Sequence, residues 1–368
     1  MSTPAVSRTR PAWLTDFTPR RLLANGHLQT VLGSYLARVD HLHEPLTEVV
    51  EVAPPTAKLP SASLICLCHW QPLEVRSQRP TAVIVHGLEG SARSQYVVGN
   101  ANKLWQAGWN IVRMNMRNCG GARYWDGERP EDVFQPGCSL IDPDTICPTL
   151  YHSGLSEDVR AVAQYFVRQQ GLSTVAIIGY SMGGNMVLKL AGELGSDPMP
   201  EIRAAVAVSP AADLAISADM LHRPINRGYE WRFMRALSRH YLHKAALYPD
   251  MFSAARLYNL HSIREFDEYI TSYYMGFAGA DDYYARSSAS ALVDRIPVPT
   301  LVLHALDDPF IRLLPETCNK LHDNPNTLLV ETPHGGHCAF LADSNPSADD
   351  DGYWAEYTIL RFLQSVTL

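Results

Sequence analysis

One segment limits what this chain can become more than any other: Thr174-Val-Ala-Ile-Ile-Gly179-Tyr180-Ser181-Met182-Gly183-Gly184-Asn185. An apolar, β-branched run of strand length stops at a glycine, and Asn185 to Glu193 then reads as a helix. A strand that passes straight into a helix needs a tight turn. Side chains larger than hydrogen at 179 and 183 would collide with that turn, and the residue at its tip must take up strain. Ser181 occupies the tip, projecting from the strand end with a helix N-terminus beneath it that favours developing negative charge. This is the setting of a nucleophilic serine. Similar stretches around Ser139 and Ser173 lack the second glycine.

A serine hydroxyl attacks only when a base takes its proton and an acid orients that base. On a strand-turn-helix scaffold of this kind the partners follow in chain order, acid then histidine. A later strand pattern, Thr300 to His304, leads into Asp307-Asp308-Pro309-Phe310. Asp308 is favoured as the acid because Pro309 and Phe310 pin its backbone; Asp307 is the alternative. Beyond the last strand pattern lies His334-Gly335-Gly336-His337, where the glycines let a loop swing His337 over Ser181 as the base. His334 is the competing histidine. A metal at this histidine pair would need further ligands, and the neighbouring sequence offers none. Two backbone N–H groups should hold the oxyanion: Met182, next after the serine, and Leu88 in His86-Gly87-Leu88-Glu89-Gly90-Ser91.

Around these segments, strand patterns at 48–53, 61–69, 82–86, 110–114, 174–179, 204–209, 300–304 and 327–332 alternate with helical patterns at 96–107, 156–170, 185–193 and 353–364. Alternation of that kind predicts an α/β fold, a mostly parallel eight-stranded sheet with helices on both faces. Length alone, 368 residues, would suggest two or three domains at about 150 residues each. The pattern instead predicts one α/β core over 46–210 and 297–368, an N-terminal arm over 1–45 docked on it, and a helical lid inserted over 211–296. The inserted segment holds 14 aromatic residues, well above the 9% of the whole chain, which predicts a lid with an apolar underside. Arg223, Arg227, Arg232, Arg235, Arg239 and Lys244 meet only Glu230 among acids there. They read as a solvated helix face, or as a contact for an anionic head group.

A net charge of −7 disfavours a nucleic-acid partner. No apolar run reaches the roughly 18 residues of a membrane span, and the N-terminal stretch with Arg8, Arg10, Arg20 and Arg21 shows no apolar segment suited to a signal-peptide core. Cys66 and Cys68 alternate on one strand as packing residues, and no Cys-x-x-Cys pair occurs. A cytoplasmic enzyme without cofactor or metal is expected.

Taken together, Asn25-Gly-His-Leu-Gln-Thr30, His86 to Ser91, Arg117-Asn-Cys-Gly-Gly121, Gly179 to Asn185, Asp307 to Phe310 and His334 to His337 resemble the α/β-hydrolase superfamily, and within it the YheT-like group related to ABHD-type serine esterases. A spaced signature matches in order as well: Asp267, Gly276-Phe277, Asp282-Tyr283-Tyr284, Ser288, Ile296, Pro299 and Asp307-Asp308. The resemblance implies a Ser181, Asp308, His337 triad acting on carboxylic esters through an acyl-enzyme. The aromatic lid favours short to medium acyl chains. A phospholipase or monoacylglycerol lipase, or an acyltransferase, would share the triad. The resemblance also makes Asn25 to Thr30 part of an arm wrapped on the fold, with a docking role favoured over substrate contact.

Overall fold

The protein is described by a computed structural model covering residues 10–55, 60–120, 146–344 and 350–367. Gly121, the end of one sequence motif, and Ser139 lie outside the described residues, as does the start of the arm. Helix α1 (Gly26–Tyr35) precedes strands β1 (Leu46–Ala53), β2 (Ala62–His69) and β3 (Thr81–Val85). Helix α2 (Gln95–Gln106), β4 (Asn110–Met114), α3 (Ser156–Gln170), β5 (Val175–Tyr180), α4 (Met182–Glu193) and β6 (Ile202–Val208) follow. After β6 come α5 (Leu214–Leu221), α6 (Arg227–Leu247) and α7 (Ala280–Ser287), joined by shorter helical turns. Then β7 (Thr300–Ala305), α8 (Pro315–Asp323), β8 (Thr327–Thr332) and α9 (Trp354–Thr367) complete the fold.

The eight strands form one sheet in the order β1-β2-β4-β3-β5-β6-β7-β8. Only β2 runs against its neighbours; β3 to β8 pair in parallel. The period-two geometry of a strand divides the central residues between two faces. Val83, Val85, Val175 and Ile177 meet Val159, Phe166, Met186 and Leu190 of α3 and α4 on one side. Ala82, Ile84, Ala176 and Ile178 meet Val97, Leu104, Ile359 and Phe362 of α2 and α9 on the other. Both faces are therefore covered, and function is confined to the strand ends. The arm packs against the α9 side, where the Trp13 ring lies 6.0 Å from Phe362 and Phe17 lies 5.5 Å from Trp354.

Helix α4 starts at Met182, earlier than the residue pattern placed it, because Ser181 alone completes the turn and Gly183 and Gly184 already belong to the helix. The segment between β6 and β7 is helical and has its own apolar cluster. Tyr241, Phe252, Phe266, Tyr283 and Tyr284 are buried in it, together with Phe310 and Ile311 from the loop after β7. Much of the aromatic excess thus forms the inside of the insertion rather than an underside facing the sheet. The basic stretch is also shorter than it reads. Lys244 is buried and donates to Asn118 Oδ1 (2.8 Å) and the Cys147 carbonyl (2.5 Å), so it fastens α6 to the loop after β4. Its place on the helix face opposite Trp231 and Arg235 carries it inward. Among the described residues no helix is long and apolar enough to cross a membrane, and no cluster of side chains could hold a metal ion.

Candidate active site

Ser181 stands between β5 and α4 at φ +55°, ψ −118°, a region that non-glycine residues rarely occupy. The turn is fully determined by its surroundings. The Ser181 N–H donates to the Val208 carbonyl of β6 (2.9 Å), and its own carbonyl accepts from Asn185 (3.1 Å) and Ala211 (3.2 Å). A Cβ at Gly179 would strike the Gly183 carbonyl, and one at Gly183 would strike the His86 carbonyl, so both glycines are required by contact. Ser181 is half-buried.

Asp308 follows β7 and is entirely buried. Its Oδ1 accepts from the N–H groups of Phe310 (3.1 Å) and Ile311 (2.9 Å), and its Oδ2 meets His337 Nδ1 at 2.7 Å. Burial by itself would push this carboxyl up; the His337 charge and hydrogen bond outweigh it and hold the carboxyl below its usual value. Burial likewise works against an imidazolium at His337, and the Asp308 charge overcomes it, raising the His337 pKa. Phe310 covers the imidazole at 4.4 Å between ring centres, which keeps water from the pair.

Loop and serine are brought together by one atom. The Val208 carbonyl that receives the Ser181 N–H also receives the Cys338 thiol at 3.7 Å, directly beside His337. The Ser181 hydroxyl and the His337 ring share no hydrogen bond among the described residues, and such contacts commonly tighten only when substrate is bound. The competing pair is separate: Asp307 Oδ1 accepts from Gly336 N–H (2.8 Å), and its Oδ2 lies 3.4 Å from His334 Nδ1. Asp307 and His334 are more exposed than Asp308 and His337.

The loop after β3 is shaped by His86. Met116 N–H donates to His86 Nε2 (3.0 Å), so Nδ1 carries the proton and donates to the Gly87 carbonyl (2.7 Å). Burial lowers the His86 pKa to about 4 and keeps the ring neutral in this tautomer. Gly87 N–H donates to the Tyr96 hydroxyl (2.9 Å), and Glu89 takes a positive φ of +57°. Among the described residues neither the Leu88 nor the Met182 N–H has an acceptor.

Two asparagines brace the site through contacts that the motifs do not specify. Asn185 Nδ2 donates to Ser153 O (3.0 Å) and Ser287 O (2.8 Å), and its Oδ1 accepts from Ala289 (2.8 Å), tying α4 to the end of the insertion. Asn226 donates to the Pro309 carbonyl (2.8 Å) and so braces the loop that carries Asp308. Asn185 closes the Gly179 to Asn185 motif, whereas Asn226, within Arg223-Pro-Ile-Asn-Arg227, carries no sequence signal of its contact. Thr30 and Gln29 of α1 reach the His337 loop, an arrangement taken up below.

A parallel sheet whose central strand turns into a helix at a strained serine, with an acid and then a histidine after the last two strands, defines a protein of the α/β-hydrolase class. Residues 80–344 match the family model of the alpha/beta hydrolase fold. The chain is 32% identical over 331 residues to "Putative esterase YheT" of Escherichia coli (strain K12), covering 89% of this chain and 87% of that one. It belongs to the α/β-hydrolase family, in its YheT/ABHD-like branch. Phospholipase ABHD3 of Mus musculus is 26% identical over 72% of the chain, and the monoacylglycerol lipase of Saccharomyces cerevisiae is 26% identical over 78%. The chain spans 59% of the length of each of those two relatives. Among solved structures, the Pyrococcus furiosus esterase Pf2001 superposes with a TM-score of 0.49 at 14% identity, over 88% of this chain and 93% of that one.

Proposed function

We propose that the protein is a serine carboxylesterase that hydrolyses esters with short to medium acyl chains. The observation that carries this reading is the strained Ser181 turn and the His337 loop meeting at the shared Val208 carbonyl, with Asp308 buried behind the imidazole. Asp308 fixes the proton of His337 on Nδ1, which leaves Nε2 as the base. His337 takes the Ser181 proton as the hydroxyl oxygen attacks the ester carbonyl, and the N–H groups of Leu88 and Met182 stabilise the oxyanion. The alcohol leaves with the proton from His337, and an acyl-enzyme remains. Water, deprotonated by His337, then attacks the acyl carbon; the bond to Ser181 Oγ breaks, His337 returns the proton to that oxygen, and the acid is released. The reaction draws on no cofactor. Residues 211–296 act as a lid over this centre, with Phe310 and Ile311 joining their apolar cluster to the acid loop.

The test is fluorophosphonate labelling of wild type and the Ser181→Ala variant, run beside a panel of p-nitrophenyl esters. Labelling that depends on Ser181 and a rate that rises above the acetate supports the proposal; labelling that survives Ser181→Ala refutes it. Adding an acceptor alcohol separates hydrolysis from acyl transfer, since a transferase would divert the acyl group to the alcohol.

A lipid ester substrate is the second reading, favoured by one surface. Ile225 and Trp231 are 73% and 63% exposed, beside exposed Arg223, Arg227, Arg232 and Arg235, a mixture suited to an anionic lipid interface. Relatives named as a phospholipase and a monoacylglycerol lipase point the same way. Replacing these arginines with glutamine would then slow hydrolysis in anionic vesicles and spare soluble esters; equal rates on vesicles would refute the lipid reading.

A further inference from the structure

The segment Asn25 to Thr30 supplies no group to the reaction above, yet it lies under the loop that bears His337. That loop follows an unfavourable path: φ is +142° at Gly335, +58° at Gly336, +60° at Cys338 and +44° at Phe340. Cys338 and Phe340 are not glycines, so the surroundings must hold the backbone in place. The N–H groups of the loop show how. Gly336 donates to Asp307 Oδ1 (2.8 Å), His337 to Thr30 Oγ1 (2.8 Å), Cys338 to Ser209 Oγ (3.1 Å) and Leu341 to Gln29 Oε1 (2.8 Å).

Thr30 and Gln29 both belong to α1, far from His337 in sequence. Gln29 is fully buried and grips Leu341 twice, since its Nε2 also donates to the Leu341 carbonyl (2.9 Å). The Thr30 hydroxyl donates its proton to the Gly26 carbonyl (2.7 Å), which turns its lone pairs toward the His337 N–H. A Cβ at Gly26 would strike the Asp307 carbonyl, and one at Gly336 would strike the Gly26 carbonyl, so helix and loop touch backbone to backbone. Asn25 caps the helix by accepting from His27 (3.0 Å) and Leu28 (3.2 Å). His27 stacks on Tyr229, Tyr229 lies against Phe310, and Phe310 against His337.

We propose that Asn25 to Thr30 is a positioning element for His337, with the Thr30 hydroxyl setting the backbone from which the imidazole reaches both Asp308 and Ser181. The proposal rests on His337 being the general base. Thr30→Val keeps the shape and removes both hydroxyl hydrogen bonds. Displacements on the order of 1 Å at a reacting group cost about 100-fold, so kcat on a p-nitrophenyl ester should fall between about 10- and 100-fold, with KM within about twofold. Thr30→Ser should restore most of the rate.

The acid limb of kcat/KM against pH should also move to lower pH in Thr30→Val, because an imidazole displaced from Asp308 loses the charge that raises its pKa. Rates are normalised to the folded fraction from thermal melts, and Thr30→Ala is run in parallel in case the valine variant folds poorly. A folded Thr30→Val or Thr30→Ala protein with unchanged kcat and an unmoved acid limb overturns the proposal. So does a Thr30→Ser variant as slow as Thr30→Val. Fluorophosphonate labelling of Ser181→Ala, made alongside, reports on the underlying mechanism independently: its persistence would refute the serine reading, whereas its loss with normal Thr30 variants would refute only the positioning role.

Discussion

Replacing Asp308 with asparagine tests the chemistry at its most exposed joint. The substitution preserves shape, and the new side-chain oxygen can still accept from Phe310 and Ile311 as Oδ1 does. What changes is the atom facing His337 Nδ1 at 2.7 Å, which becomes an NH2 donor. The imidazole must then place its lone pair on Nδ1 and its proton on Nε2, the tautomer that cannot accept from Ser181. At an effective dielectric of about 20, unit charges at that spacing attract by about 6 kcal/mol, ample to outweigh the burial that opposes an imidazolium. Losing the oriented tautomer and this field should lower kcat by about 10⁴, or about 5.5 kcal/mol at the transition state.

The pH dependence has a definite sign. As the base of the proposed mechanism His337 must be neutral, and Asp308 raises its pKa, so the acid limb of wild-type kcat/KM should lie above the ordinary histidine range. Asp308→Asn removes the cause, and the limb should shift to lower pH while the plateau collapses. Steady-state rates on a p-nitrophenyl ester from pH 4 to 10, paired with circular dichroism to establish folding, make the measurement. Asp307→Asn is the control, because asparagine can still accept from Gly336, and its effect should stay within about tenfold. A folded Asp308→Asn enzyme within tenfold of wild type, or an Asp307→Asn variant that is the more damaged, would refute the assignment of the acid.

Other perturbations probe the scaffold. Gly183→Ala places a methyl against the His86 and Val85 carbonyls and should lower stability by about 1–3 kcal/mol in urea melts, with activity reduced further because the turn and the Leu88 loop separate. Asn185→Ala strands the Ala289 N–H and the Ser153 and Ser287 carbonyls in a dry interior, an expected loss of about 3 kcal/mol; a midpoint equal to wild type would show that these bonds are not what joins α4 to the insertion. Lys244→Met leaves Asn118 Oδ1 and the Cys147 carbonyl without their cation, and hydrogen exchange should quicken in α6 while the β5–β6 core stays protected.

Local sequence carried a large part of this structure. The limits of β4 and β8 and the whole of α3 are legible because buried parallel strands and an amphipathic helix repeat at different periods, and Gly171 closes α3 at φ +64°. Patterns near the elbow erred by a few residues, since glycines that signal a turn in isolation are accepted in a helix where a neighbouring strand leaves no room for a side chain. The insertion was legible as helical and aromatic but not in its orientation. Which aromatics form its interior, and that Lys244 points inward, depend on how α6 is rotated, and a row of basic residues does not encode that rotation.

The pairing of site residues divides the same way. Chain order and the elbow glycines single out Ser181, and an acid and a histidine after the last two strands, as the candidates, because steric limits on a strand-to-helix turn act within a few residues. Pro309 and the glycines favour Asp308 and His337 locally, but which aspartate and which histidine pair with each other is decided beyond the local sequence. Neighbouring residues in an extended loop point in opposite directions, and burial decides which direction becomes the interior. Here Asp308 goes inward to His337, while Asp307 turns to the Gly336 N–H and stays nearer water. The sequence motif places Asn25 to Thr30 on a docked arm, but its contact with the His337 loop belongs to the tertiary structure, because Thr30 and His337 meet only after α1 docks beneath a loop encoded some 300 residues later. Short-range sterics are written in the sequence itself; contacts between distant segments exist only once the chain has closed around its core.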